Sequence, residues 1–292
     1  MLLNHAYPDI FSEPEAQLLA SLLGPPITAR SRSRVIRANV VLNQSLYLTR
    51  GMLGRYSLDR QGRRQFVGIQ IVGDYFDIAA YLLKYLDHDI DALSPCEMRP
   101  TSHGQLDQIG LDRPDLYHKL WRISLIDASI DRYWIFRLGR LAGKARVANF
   151  LTEMFVRLYA RGLCGTTHYE LPLSQTDLAE INGMTSVHVN RLLGELRLDG
   201  LCTLSDGIVQ LGNLAGLTRV PAEIFGVGDR IGSIAVGKQA DLVLWDGDPL
   251  DVAHYAEQVW MGGRDMPMRS RQTDLRDRYL QQAGPLPRAY QR

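Results

Sequence analysis

The stretch that most constrains this chain is residues 171–200, LPLSQTDLAEINGMTSVHVNRLLGELRLDG. It reads as two short helices joined by a tight turn. Ser174 is placed to cap a first helix over Gln175–Ile181, its side chain accepting from an otherwise unpaired N–H. Leu178 and Ile181, three apart, share one face. Gly183 stands where the chain turns, and glycine enters left-handed backbone space without a Cβ penalty. Thr185 caps a second helix over Ser186–Leu198, whose apolar stripe is Val189, Leu192, Leu193 and Leu196. Its other face carries Ser186, Val187, His188, Asn190, Arg191 and Arg197. All but Val187 are hydrogen-bonding types that reach base edges or phosphates. Ser174, Gln175, Thr176 and Thr185 complete the candidate DNA-contacting set.

Two such helices also fit an ordinary core pair. The following residues separate the readings. LCTLSDGIVQL places Asp206-Gly207 between two short apolar runs, a strong hairpin pattern. A hairpin directly after a recognition helix is a wing, so the unit reads as a winged helix-turn-helix.

Charge lends this reading no help. The net charge is +1, and Ala142–Arg219 holds seven Lys and Arg against seven Asp and Glu. Any basic surface must come from arrangement, since DNA binders often show a basic excess. Cys96, Cys164 and Cys202 are scattered without a CxxC, which argues against a disulfide framework or a sequence-evident metal cluster and suits a reducing cytosol. No apolar run approaches 18 residues, so no membrane span is expected. The N-terminal stretch has acidic residues and no basic n-region; it reads as an amphipathic helix near Pro14–Leu23 instead of a signal peptide. No cofactor is called for.

Residues 27–100 read as short strands punctuated by Gly51, Gly62 and Gly73, with Asp59–Gly62 as a hairpin turn. Asp74–Tyr85 reads as a short helix, and IDALSPCEMRPT as the closing strands. From Pro114 the period becomes helical. One helix of about 26 residues carries Leu116, Leu120, Ile123, Ile126 or Asp127, Ile130, Trp134 and Leu138 at three- and four-residue steps. A long helix with a narrow apolar seam is a candidate dimer interface. The alternative is that it packs on its own β-domain. Gly143 interrupts it, and a second amphipathic helix follows over Lys144–Arg161.

The order β-roll, long helix, helix, winged helix-turn-helix resembles the Crp–Fnr family of bacterial transcription regulators. GRYSLDRQGRRQFVGIQIVGDYFDIAAYLL and the stretch from LPLSQTDL to GLCTL carry the resemblance, which covers about three-quarters of the chain. It implies a cytoplasmic homodimer on a palindromic operator in double-stranded DNA, with RNA polymerase as a further partner and a small-molecule effector of unknown identity. Ser186, Val187 and Arg191 fall where family members contact bases. Arg191 suits a bidentate fork to guanine, and Val187 reaches at most a thymine methyl. Nucleotide-binding members carry a Gly-Glu pair and then Arg-Ser or Arg-Thr. Here the corresponding effector-pocket positions are Gly73-Asp74 and Leu86-Asp87, so a cyclic phosphate would meet carboxylates and cyclic AMP is not expected to bind. Asp87, His88 and Asp89 form a cluster that reads as a solvated turn more readily than as a metal site.

Residues 220–292 follow another pattern. PAEIFGVGDRIGSIAVGKQADLVLWDGDPL and VWMGGR resemble the C-terminal end of an imidazolonepropionase-like amidohydrolase, with strands expected at Asp241–Trp245 and Gln258–Met261. That chemistry needs His-x-His and further metal ligands. The seven histidines, at 5, 88, 103, 118, 168, 188 and 254, include no such pair. The tail is read as a fused remnant without catalysis, or else as an accessory β-module for a partner. Val243, Trp245, Val259 and Trp260 are expected to be partly exposed there.

The expected architecture is therefore α+β: a cyclic-nucleotide-binding-like sensor β-roll over 1–113, a dimerisation helix over 114–141, a winged helix-turn-helix over 142–219 and an amidohydrolase-like fragment over 220–292. The expected function is DNA-binding transcription regulation without enzyme activity. A non-catalytic sensor or scaffold and an amidohydrolase remnant are the competing classes.

Overall fold

The computed structural model describes residues 3–7, 10–214 and 216–217, together with strand residues 242–245, 256–261 and 264–266. They fall into two compact units, divided between Ser233 and Ile234.

The first unit opens with α1 (Leu3–Ala6) and α2 (Glu13–Ser21). Ser12 caps α2, and the Glu15 carboxylate accepts from the Ser12 N–H at 2.9 Å. Seven strands follow: β1 (Ile27–Ala29), β2 (Arg34–Ile36), β3 (Gln44–Arg50), β4 (Leu53–Leu58), β5 (Arg64–Gln70), β6 (Asp89–Ala92) and β7 (Cys96–Ser102). They form two antiparallel sheets, ordered β1-β7-β3 and β2-β6-β4-β5. Alternation along the strands sends Leu46, Leu48, Leu53, Ile90 and Met98 into one buried cluster. The β4–β5 turn is local chemistry: Asp59 Oδ1 accepts from the N–H groups of Gln61 and Arg63, each at 2.9 Å.

The helix expected over Asp74–Tyr85 is shorter. Only α3 (Ala80–Leu83) is helical, ended by Lys84 in left-handed conformation. Asp74 and Asp77 instead spend their carboxylates on the backbone N–H groups of Ile71 and Leu46. A helix absent from the sequence reading, α4 (His103–Asp112), is capped by the reciprocal Ser102–Gln105 box.

Then comes α5 (Pro114–Arg140), 27 residues long with Pro at its first turn. Its expected seam is largely consumed inside the chain. Leu116, Leu120 and Ile123 pack with Leu19, Leu106 and Ile109, while Trp134 stands edge-on to Phe150. A second stripe, which shares only Ile126 with that seam, faces outward: Leu125 (67 % exposed), Ile126, Tyr133 and Phe136. Arg55, buried on β4, ties the sensor to this helix through Asp127 (2.6 Å) and Asp131 (3.1 Å).

The winged domain begins at α6 (Gly143–Ala160) and continues with β8 (His168–Glu170), α7 (Gln175–Asn182), α8 (Ser186–Leu198), β9 (Cys202–Ser205) and β10 (Ile208–Leu211). Val147, Phe150, Leu151 and Met154 of α6 join Leu178, Ile181, Val189, Leu192 and Leu196 in one core. The wing has a third strand that the sequence reading lacked, giving the order β8-β10-β9. Asp206 and Gly207, at φ 51° and 74°, make its turn, as type I′ geometry requires.

In the second unit, β11 (Leu242–Trp245), β12 (Ala256–Met261) and β13 (Arg264–Met266) form an antiparallel sheet in that order. The two expected strands are present, and β13 extends them. The expected exposure of Val243, Trp245, Val259 and Trp260 lies outside the described residues.

Candidate DNA-reading surface

Local chemistry sets where α7 ends and α8 begins. Asp177 Oδ2 takes the Ser174 N–H at 2.8 Å, and the Asp177 N–H returns a bond to Ser174 Oγ at 3.1 Å. Gly183 closes α7 at φ 61°, and Thr185 Oγ1 accepts from the His188 N–H to open α8. Val189, Leu192 and Leu196 then bury against α6 and α7. The opposite face of α8 is left outward: Val187 is 82 % exposed, with Asn190, Arg191 and Arg197 exposed beside it.

The ten sequence-derived contact residues do not form one uniform row. Thr176, Thr185 and Ser186 line a groove of about 970 Å³ shared with the β4–β5 hairpin. Ser174, Gln175, Asn190 and Arg197 line a second groove, of about 430 Å³, beside the wing turn. Gln175 Nε2 donates to Asn190 Oδ1 at 3.0 Å, which joins the two helices across that groove. The Arg191 guanidinium pairs with Glu195 one turn along and is exposed, so it is free to exchange that partner for another. His188 is half-buried beside them, its Nδ1 3.3 Å from the Arg191 guanidinium. It leans on the start of α6, where a Cβ on Gly143 would come within 2.9 Å of its Nε2.

The residues missed by sequence reasoning are those that hold this reader against the sensor. Asp177, buried in α7, receives Arg32 at 2.7 Å and Arg64 at 3.0 Å. Arg64 also reaches Glu180 at 2.6 Å, and Gln65 donates to the Glu180 carbonyl at 2.7 Å. Burial works against ionising Asp177, but hydrogen bonds from Ser174 and Arg32 prevail and hold its pKa below the ordinary carboxylate value. The sequence marked Ser174 as the cap but not its partner Asp177, and nothing local marked the cations that Asp177 receives.

A model of the Crp-like helix-turn-helix domain matches residues 145–220. The nitrogen fixation regulation protein FixK of Bradyrhizobium diazoefficiens is 28 % identical over 163 residues, covering 55 % of this chain and 67 % of FixK. The structure of FixK2 from Bradyrhizobium japonicum superposes with a TM-score of 0.62 at 22 % identity, over 69 % of this chain and 98 % of that one. Residues 145–220 thus match a Crp-like helix-turn-helix domain, and ahead of its tail the chain is similar to transcription regulators of the Crp–Fnr type. It is accordingly a DNA-binding transcription regulator of the Crp–Fnr type.

The tail of this Crp–Fnr protein has a second affinity. An amidohydrolase family model matches residues 213–265. Amidohydrolase tasK of Hapsidospora irregularis is 48 % identical over 50 residues, which is 17 % of this chain and 5 % of that enzyme.

In the regulator's sensor, the four expected effector-pocket residues do not present a common polar face. Gly73 takes a left-handed turn at φ 95°, and Leu86 is buried among the sheets. Asp74 is buried and committed: Arg161 lies at 2.6 Å and Arg157 at 3.1 Å, with Tyr7 donating at 3.2 Å. Burial opposes its charge, and Arg161 and Arg157 outweigh burial, so its pKa is lowered. Asp87 points to solvent and pairs with His88 Nδ1 at 2.8 Å. Asp89, the first residue of β6, is largely buried and accepts from the Ala38 N–H at 2.9 Å, so the 87–89 cluster is split.

Proposed function

We propose that this Crp–Fnr regulator binds a two-fold symmetric operator as a homodimer, inserting α8 into the major groove. The observation that carries the reading is the capped α7–α8 pair, with Val187 and Arg191 held outward on a buried base. Arg191 is the guanine reader by a bidentate fork, and Val187 meets a thymine methyl. Ser186 joins them at the base edges, and Ser174, Gln175, Thr176, Thr185, His188, Asn190 and Arg197 supply phosphate and flanking contacts. The outward stripe of α5, centred on Leu125, Ile126, Tyr133 and Phe136, is the dimer seam.

The division of labour follows the elements: sensor over 1–113, dimer helix over 114–141, reader over 142–219, fused fragment over 220–292. Cyclic AMP is not the effector. Asp74 already neutralises the two arginines beside it, and Asp87 would repel a phosphate. The tail contributes no hydrolysis, because the sequence lacks the His-x-His set that such chemistry requires. The protein acts in the cytoplasm with RNA polymerase as its downstream partner. Among the described residues no helix is long and apolar enough to cross a membrane.

The test is selection of fragments from a genomic DNA pool by the full chain, followed by sequencing. The expected result is enrichment of a palindrome whose half-sites lie about 10 base pairs apart, centre to centre. Enrichment of no motif would refute sequence-specific reading; an unpaired half-site would refute the homodimer.

A further inference from the structure

Between α2 and the β1-β7-β3 sheet lies a cavity of about 200 Å³. It is on the face of that sheet turned away from the inter-sheet core. Leu3, Ala16, Leu19, Ala20 and Leu23 line it from the helix side, and Tyr47 lines it from β3. Two polar residues reach it, Thr49 and Arg99. The Thr49 hydroxyl is occupied, donating to the Glu97 carbonyl at 3.0 Å and the Glu97 carboxylate at 2.9 Å. The Arg99 side chain is half-buried and its guanidinium makes no hydrogen bond or ion pair with any described residue. A guanidinium on a central strand, facing apolar walls and lacking an anion, is the feature to be explained.

We propose that this cavity binds a small amphipathic monocarboxylate, with its chain between α2 and the sheet and its carboxylate in the fork of Arg99. The fork matches a carboxylate with two parallel N–H···O bonds. Glu97 stands two residues along the same strand face, so a dianion or a phosphate is disfavoured and a single negative charge fits. Size sets the class further. A dry cavity of about 150 Å³ takes benzene, so this one takes a chain of roughly six to eight carbons. The site is distinct from the Gly73, Asp74, Leu86, Asp87 quartet and does not depend on how the reader meets DNA.

Its position also links it to the long helix. Glu15 of α2 receives Lys119 of α5 at 2.7 Å and Arg113 at 3.8 Å. A ligand seated beneath α2 therefore lies one ion pair away from α5.

Calorimetric titration of the full chain with sodium octanoate, sodium butyrate and octanol tests the site. Octanoate should bind once per chain, and each methylene added from butyrate should tighten binding roughly fourfold. Octanol, which lacks the charge, should bind at least tenfold more weakly, as should octanoate to Arg99→Gln. Arg99→Lys should restore part of the loss. Ala20→Phe fills the cavity from the helix side and should abolish binding while melting like the parent chain. No saturable binding at any chain length, equal affinity for octanol, or unchanged binding to both Arg99→Gln and Ala20→Phe would each overturn the proposal.

Discussion

The Arg64 guanidinium lies 3.0 Å from the Asp177 carboxylate, joining strand β5 of the sensor to the first helix of the DNA reader. That carboxylate is also the N-terminal cap partner of α7 and the partner of Arg32. A single buried group therefore sets the helix-turn-helix internally and docks it externally. Any motion that frees the reader must find Asp177 another cation or leave its charge unpaired.

Arg64→Ala alone should be mild, since Arg32 and Ser174 remain. Arg32→Ala with Arg64→Ala should cost about 2 kcal/mol, less than the 3–5 for a fully buried pair because Arg32 is half exposed. The depressed folded pKa of Asp177 gives the pH dependence. Its contribution is present above the unfolded value of about 3.9 and is lost as pH falls through the lower folded value. Paired melts should differ by a constant amount from pH 5 to 8 and converge in stronger acid. Convergence near pH 7 would contradict the assignment.

Asp77 behaves oppositely. It is fully buried; its Oδ1 accepts from Leu46 N–H at 2.7 Å, and its Oδ2 has no partner. Burial pushes its pKa up to about 8. A raised pKa contributes stability below the unfolded value, and that is lost as pH rises toward 8. Asp77→Asn keeps an acceptor without a charge to desolvate. It should therefore stabilise the chain at pH 8 by on the order of a few kcal/mol and change little at pH 4. Thermal melts at the two pH values check this; equal shifts at both would be inconsistent with a neutral folded Asp77.

The two stripes of α5 should respond differently to charge. Leu125→Glu with Phe136→Glu should give a folded monomer by sedimentation, with operator affinity lost. Ile123→Glu places a charge in the sensor core and should cost more than about 3 kcal/mol, failing before dimerisation is reached. A doubly substituted chain that still sediments as a dimer would move the interface elsewhere.

These contrasts show where sequence was informative. The reader was legible almost to the residue because its boundaries are set by neighbours in the chain: Ser174 with Asp177, Gly183 at the turn, Thr185 with His188. The length of α5 was legible for the same reason, from Pro114 to the break before Gly143. Its dimer face was not, because apolar residues recur on two sides and helical periodicity cannot tell which side the sensor covers. The clamp was illegible: Arg64 and Arg32 are 113 and 145 residues from Asp177. In the sensor, the spacing that picked out Asp74 carried no information on Arg157 and Arg161, which claim its carboxylate.

A chain ending at Arg219 retains Leu217, which is buried in the reader core, and every element named in DNA reading. It should fold, dimerise and bind its operator as the full chain does. Melts and operator titrations of the two chains decide this. A tenfold loss of affinity, about 1.4 kcal/mol, would make the tail a working part of the regulator.

The most direct measurement is the affinity of the parent chain and of Arg191→Ala for the selected operator and for random DNA, at one fixed salt concentration. The account predicts a loss of about 1–3 kcal/mol on the operator and little change on random DNA. Equal losses on both would show that Arg191 meets only phosphate, and the reading face of α8 would have to be assigned anew.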